Sequence, residues 1–163
     1  MSSLVIRPCE HADLRKLEWS RQLRLDRILI EHVFETTRDG VGAMLVAAIE
    51  REVVGQVWID VTRKPGVAVL WALRVKRGFR GHGVGSLLIA AAEREGRRQG
   101  AYSAELAVEL HNARARGLYE RLGYRCVGYE IATQASTGAP LGFEVAIMRR
   151  SIDHARDHVG RTR

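Results

Sequence analysis

Apolar residues along this chain change their spacing several times, and each change marks the edge of an element. "LVIRPCE", Leu4 to Glu10, alternates as a short strand does and is stopped by Pro8. In "HADLRKLEWSRQLRLDRILIEHVF", Leu14, Leu17, Leu25, Ile28 and Leu29 recur at intervals near three and four. That predicts helix, as one segment or two, with Asp13 as a cap. "AMLVAAIEREVVGQVWIDV" predicts a hairpin: strand 43–49, turn 50–52 and strand 53–61, with Gly55 at a bulge. A turn at Lys64 to Gly66 leads into "VAVLWALRV", Val67 to Val75, an almost unbroken apolar run of the kind a central strand carries. Val84 to Gly100 predicts an alanine-rich helix closed by Gly100, and Ser103 to Leu110 another strand. Asn112 to Gly123 predicts a short helix with Asn112 at its cap and Gly123 just past its end. "YRCVGYEIA" and "GFEVAIMRR" close the chain as two strands around a loop at "TQASTGAP". The order β, helix, β, β, β, helix, β, helix, β, β is that of a mixed α/β domain, with a central sheet and helices on its faces.

Length and composition narrow the class. A chain of 163 residues suits one domain, and 46% apolar residues exclude a disordered one. No apolar run approaches a membrane span, and the start "MSSLVIRPCE" lacks the apolar core of a secretory signal. Cys9 and Cys126, two scattered thiols in a domain with a real core, suit a reducing, cytoplasmic setting. The formal net charge of +7 favours anionic partners without choosing among nucleic acid, a membrane surface and a phosphorylated small molecule.

The segment "RGFRGHGVGSLL", Arg77 to Leu88, narrows that choice. A loop that leaves a strand and opens a helix aims several backbone N–H groups at one spot, at the positive end of the helix dipole. Gly81, Gly83 and Gly85 let an anion approach the main chain, while Arg77, Arg80 and His82 add donors. The physical reading is a pyrophosphate cradle. Two other phosphate loops fail on detail. A P-loop needs lysine then serine or threonine after its last glycine, but Ser86 and Leu87 follow Gly85. The dinucleotide fingerprint needs glycine or alanine at position 86 or 88, where Ser86 and Leu88 stand, and should lie near the first strand.

"RGHGVG", Arg80 to Gly85, resembles the Arg/Gln-x-x-Gly-x-Gly/Ala motif of the GCN5-related N-acetyltransferases. The preceding "LRV", Leu73 to Val75, looks like the end of that family's fourth strand. Downstream, "NARARGLYERLGY", Asn112 to Tyr124, is similar to the family's N-x-x-A-x-x-L-Y-E-K-x-G-F segment, with Arg121 for lysine and Tyr124 for phenylalanine. The two motifs stand in the family's order, and the strand order fits over roughly 43–150. The resemblance implies a mostly antiparallel sheet, splayed between its fourth and fifth strands, with helices on both faces. It implies one acetyltransferase domain over 1–150, followed by a basic tail over 151–163, and acetyl-coenzyme A as cosubstrate. Backbone groups of Leu73, Arg74 and Val75 would hold the pantetheine arm between the parted strands. The N–H groups from Arg80 through Gly81, His82, Gly83, Val84 and Gly85 to Ser86 would hold the pyrophosphate. Asn112 would touch the pantetheine side, and Tyr119 would stand near the departing sulfur as the acid.

Amine acetylation also needs a base. Relatives carry an acid on the fourth strand near Trp71 and Ala72; this strand has none. Glu109 is the expected base, with Glu105, Asp60 or a water as alternatives. A non-catalytic module that binds or senses acyl-coenzyme A is the competing class. Nucleic acid is disfavoured for want of a helix-turn-helix or an aromatic series, since Trp19, Trp58 and Trp71 form none. Trp71 belongs either to the acceptor cleft or to the core. His154 and His158 stand at i, i+4 without a third ligand, so no metal is expected. The acceptor is an amine of a small molecule or peptide; Glu31, Glu35 and Asp39 are candidates for an acidic acceptor cleft. Homodimerisation stays open.

Overall fold

The structure is a computed structural model that describes residues 3–23, 27–132 and 142–153, without the side chains of 18–23. Seven strands form one sheet: β1 (Leu4–Pro8), β2 (Ala43–Ile49), β3 (Glu52–Lys64), β4 (Val67–Val75), β5 (Ser103–Glu109), β6 (Arg125–Ile131) and β7 (Glu144–Ser151). Their spatial order is β1-β2-β3-β4-β5-β7-β6. Every neighbouring pair is antiparallel except β4 and β5, which run parallel. Three α-helices cover the sheet: α1 (Arg27–Arg38), α2 (Val84–Arg98) and α3 (Ala113–Arg121).

Strand periodicity located the strands well, since β2 and β4 have the expected bounds. The insertion of β7 between β5 and β6 was not legible, because local pattern does not say which edge a returning strand takes. The first helical region differs from expectation. His11–Leu23 winds as a 3₁₀ segment, and only Arg27–Arg38 is α-helix. Leu14 and Leu17, both buried, stand three apart, the repeat of a 3₁₀ helix. Nor does Asp13 cap forward. Its carboxylate accepts from the Arg7 guanidinium at 2.7 and 3.0 Å and from the Glu10 N–H at 2.8 Å, behind it in the chain.

Each face of the sheet has its own core. On one face α2 lays Val84, Leu88, Ile89, Ala92 and Gly96 against Val54, Val57, Ala68 and Leu70. These positions repeat at three and four, so they share one stripe of the helix. Ile152, past β7, belongs to the same cluster. On the other face Ile30 and Phe34 of α1, with Leu14 and Leu17, cover Met44, Val46, Val53, Trp58 and Ala72. Within the first core, buried Glu93 of α2 accepts from the Tyr124 hydroxyl at 2.8 Å and faces Arg150 at 3.4 Å. Cys9 follows β1 and Cys126 lies on β6, the two outer strands, so the thiols stay apart and free. Among the described residues no helix is long and apolar enough to cross a membrane. Residues 133–140, His154, His158 and the tail beyond 153 lie outside the described residues, as does the Trp19 side chain.

α2 sits unusually close to β4, because a Cβ on Gly96 would lie 2.6 Å from the Ala68 Cβ. Gly96→Ala therefore meets two opposed effects: a helix-propensity gain of about 1 kcal/mol and an overpacking cost of about 1–3 kcal/mol. The clash is with another strand's Cβ, not with a flexible side chain, so the net result is destabilisation, read as a lower urea midpoint.

Candidate active site

β4 and β5 pair only at Val67 with Ser103, Ala68 with Ala104 and Val69 with Glu105. Beyond that the two strands part, although β4 continues to Val75 and β5 to Glu109. Two features keep them apart. The first is a buried ion cluster at the last paired rung. Glu105 is 3% exposed and holds the Lys64 ammonium on one oxygen and the Arg149 guanidinium on the other, at 2.6 and 3.0 Å. It thereby ties β3, β5 and β7 together. The second is an extra residue in β4. Trp58 faces Trp71 but Gln56 faces Arg74, so β4 uses one more residue than β3 over that stretch. Ala72 within it has φ 51, a left-handed conformation that L-residues adopt at a cost of about 1–2 kcal/mol. The sequence expectation missed this bulge, and alanine at position 72 gives no local signal for it. Past Val69 the β4 edge toward β5 has no ladder partner, which leaves that edge open to an extended ligand except where the Val75 carbonyl is taken by Arg80.

The glycine loop stands at the end of β4. After Val75, Arg77–Phe79 makes a single 3₁₀ turn and Gly83 opens α2. Gly81 (φ 78) and Gly83 (φ 82) are both left-handed, the conformation glycine supplies at least cost. No side chain caps the helix at Gly83. The N–H groups of Val84, Gly85 and Ser86 lack a carbonyl one turn behind them and point out of the helix start. Main-chain donors arranged this way are suited to an anion. Arg80 turns its Nε back onto the Val75 carbonyl at 2.9 Å, and His82 Nδ1 lies 2.9 Å from the Arg80 carbonyl. Both side chains thus brace the loop. A cation that the sequence reading missed stands beside it: Arg114 of α3, whose Nη2 would be 3.6 Å from a Cβ on Gly81. Its signal was its place in the second motif, two residues past Asn112.

α3 packs beside the start of α2, with Leu118 Cδ2 3.6 Å from where a Gly85 Cβ would stand. Asn112 caps it as expected, its Oδ1 accepting from the Ala115 N–H at 3.2 Å. Tyr119 is 8% exposed and lies in the α2-side core, its ring 6.3 Å from that of Tyr124. Burial raises its pKa above the ordinary tyrosine value, and the nearby Arg74 guanidinium opposes that only in part. The phenol is therefore a proton holder across neutral pH. Arg74 feels Tyr119, Glu109 and Arg80; burial depresses its pKa, and its Nε is buried without a hydrogen-bond partner. Glu109 ends β5, a third exposed, with Oε2 2.9 Å from His111 Nε2. The gap thus gathers Arg74 and Val75 from β4, Glu109 from β5 and Tyr119 from α3.

The alternative bases are engaged elsewhere. Glu105 is taken up by Lys64 and Arg149. Asp60 accepts from the Thr62 N–H and hydroxyl and from Arg63; these bonds and that cation lower its pKa despite its burial. Of the candidates for an acidic acceptor cleft, Glu31 pairs with Arg27 and Glu35 with Arg38 along α1. Trp71 is half-buried, edge-on to Trp58 at 4.7 Å, with the Arg63 guanidinium 5.1 Å over its ring. It forms part of the sheet face opposite α2.

Residues 9–124 match the family model described as Acetyltransferase (GNAT) family. The chain belongs to this family. Acetyl transfer is thus the reaction class in which the parted strands and the loop are to be understood. Many solved structures resemble the chain, including the following three. Ribosomal-protein-alanine N-acetyltransferase from Brucella melitensis is 21% identical, with 90% of this chain and 99% of that one covered and a TM-score of 0.74. YncA from Salmonella typhimurium, solved with its cofactor acetyl-CoA, is 17% identical over 93% and 95%, with a TM-score of 0.76. PaiA N-acetyltransferase from Thermoplasma acidophilum, solved with coenzyme A, is 16% identical over 91% and 99%, with a TM-score of 0.73. At these identities the likeness establishes a common fold. No curated protein matches the sequence closely enough to add a relative.

The loop geometry makes a prediction. Nothing lies within 4 Å of a Cβ on Gly83, so Gly83→Asp is accommodated with only left-handed strain. Its carboxylate, however, would occupy the place of a phosphate. The variant should melt within a few degrees of the parent alone. In a thermal melt with coenzyme A it should lose the ligand-induced rise that the parent shows.

Proposed function

We propose that the protein transfers the acetyl group of acetyl-coenzyme A to a primary amine of a small molecule or peptide. The observation that carries this reading is the parting of β4 and β5 beyond Val69 directly beneath an uncapped helix start. That arrangement suits one long ligand, anionic at one end and thioester at the other. On this reading the N–H groups from Arg80 to Ser86 hold the diphosphate, and the open β4 edge at Leu73, Arg74 and Val75 holds the pantetheine arm. Arg114 adds charge beside the loop.

The chemistry then assigns roles to this chain's groups. Glu109, with His111 beside it, takes a proton from the acceptor ammonium, directly or through water. The neutral nitrogen attacks the thioester carbonyl, whose developing oxyanion is met by a β4 amide. The C–N bond forms and the C–S bond breaks. Tyr119 gives its proton to the leaving sulfur and regains one as the nitrogen sheds its second proton, directly or through water; the products are an N-acetyl amide, coenzyme A and the one proton first taken by Glu109. An unperturbed thiol has a pKa of about 8.5, below that of any phenol, so Tyr119 positions the leaving thiolate as much as it acidifies it. The reading takes 1–150 as one acetyltransferase domain with 151–163 as a basic tail. It places the protein in the cytoplasm, with no membrane or nucleic-acid partner.

Release of free thiol from acetyl-coenzyme A, screened against amines, amino acids, antibiotics and peptides, tests the proposal. Turnover with any amine supports it. Coenzyme A protection in a melt without thiol release would favour the binding or sensing module, and no interaction with either compound would sink both. Tyr119→Phe should lower kcat by about 10²-fold or more with little change in KM for acetyl-coenzyme A. In the parent, activity that needs protonated Tyr119 falls only as pH rises through its elevated pKa, so the phenol contributes no alkaline loss below pH ~10. Glu109→Gln should lower kcat at neutral pH more than it raises KM. If the acid limb of the pH profile is unchanged in that variant, Glu109 is not the base.

A further inference from the structure

The sheet face opposite α2 carries a polar defect that the donor site does not use. Gln56 of β3 is 0% exposed, and neither its Nε2 nor its Oε1 has a hydrogen-bond partner. Arg74 stands directly across from it on β4, and its buried Nε is likewise unpartnered. Trp58, two residues along β3 from Gln56, has an unpartnered buried indole N–H. Cross-strand partners share a face, as do residues two apart on a strand. The four orphaned atoms therefore gather on one side, beside the β4 bulge at Ala72. Among the described residues no carboxylate forms an ion pair with Arg74.

Buried polar groups are nearly always satisfied, and a cluster of exceptions needs a partner, whether water or a ligand. The chemistry of this one is specific. A guanidinium fork, an amide N–H₂ and an indole N–H are all donors, and the cation has no counter-charge. Together they match a carboxylate. Gln56 Oε1 remains as an acceptor. Tyr119, Glu109 and the Arg80 cation all lie near enough to influence Arg74, so groups of both signs surround it, as a zwitterion would need. Arg74 also stands close enough to Tyr119, of the α2-side core, to influence it, so the two sides meet at the gap.

We propose that Gln56 and Arg74, with the Trp58 indole, receive the free carboxylate of the acceptor, which is therefore an amino acid. This rests on the acetyltransferase reading above and narrows it. The orphaned groups are satisfied only when the acceptor is in place, and its amine is then directed toward the parted strands.

The test compares amino acids with their own primary amides in the thiol-release assay, each at saturating acetyl-coenzyme A. The amino acid should exceed its amide in kcat/KM by about tenfold to a hundredfold, the range of a buried charge-assisted hydrogen bond. Arg74→Met and Gln56→Met should erase the preference through KM for the acceptor, and Gln56→Met should leave KM for acetyl-coenzyme A near its parent value. Gln56→Met should also melt higher than the parent without ligand, since it removes an unsatisfied buried amide. A second readout needs no turnover: tryptophan fluorescence of the coenzyme A complex, titrated with N-acetyl amino acids and with their amides. Only the carboxylates should perturb the Trp58–Trp71 pair, and Arg74→Met should abolish the response. Acetylation of amides as fast as of amino acids, or fluorescence blind to the carboxylate, would overturn the proposal while leaving acetyl transfer intact. A variant that loses affinity for acetyl-coenzyme A but keeps its acceptor preference would assign the pair to the thioester and overturn it too. If acetyl-coenzyme A neither binds nor reacts, the broader reading fails first, and fluorescence with the N-acetyl ligands still decides the carboxylate site.

Discussion

The separation of β4 from β5 is the constraint on which the rest of the molecule turns. A sheet normally extends its ladder, because each unpaired N–H and C=O away from water costs as much as a lost hydrogen bond. Here the ladder stops after three rungs. The carboxylate of Glu105 sits at the last rung, with Lys64 and Arg149 closing on it from neighbouring strands. Charges buried this way are weak contributors when intact and expensive when broken, about 3–5 kcal/mol if one partner is lost. Their geometric effect is to fix where β5 is held and hence where it is free to diverge. The additional residue in β4 at Ala72 then bends that strand away.

The location of the loop follows from this. A helix start can hold a diphosphate anywhere on a surface, but only one at the end of a parted strand can also lead the rest of the ligand inward. α2 is fixed on the sheet by small residues, with Gly96 pressed onto Ala68 and Gly55 admitting Leu88 at 3.0 Å. The N–H groups of its first turn are therefore aligned before any ligand arrives, and binding need not pay to order them.

Much of this was legible in the sequence because it is local. Val67 to Val75 announced a central strand by unbroken apolarity, and Gly81, Gly83 and Gly85 announced a tight loop between strand and helix by alternation. Asn112 and Gly123 marked the ends of α3. What stayed hidden is relational. The neutralisation of Glu105 by Arg149 depends on β7 entering between β5 and β6, which no window of sequence specifies. Arg74 was assigned to the donor for its position in the strand; that it also stands across from Gln56 depends on a bulge that alanine does not advertise. The 3₁₀ winding of His11–Leu23 was hidden differently, since leucines three apart fit a helix of either pitch.

The two faces of the sheet differ in the kind of atom they present. At the start of α2 the open donors are main-chain amides, which survive most changes of side chain. On the opposite face the unpartnered groups belong to side chains, Gln56, Arg74 and Trp58, whose identities are set one codon at a time. On the proposed reading, selectivity on that side drifts by single substitutions while the grip on the shared nucleotide stays constant, so one scaffold can acquire new clients without relearning its chemistry.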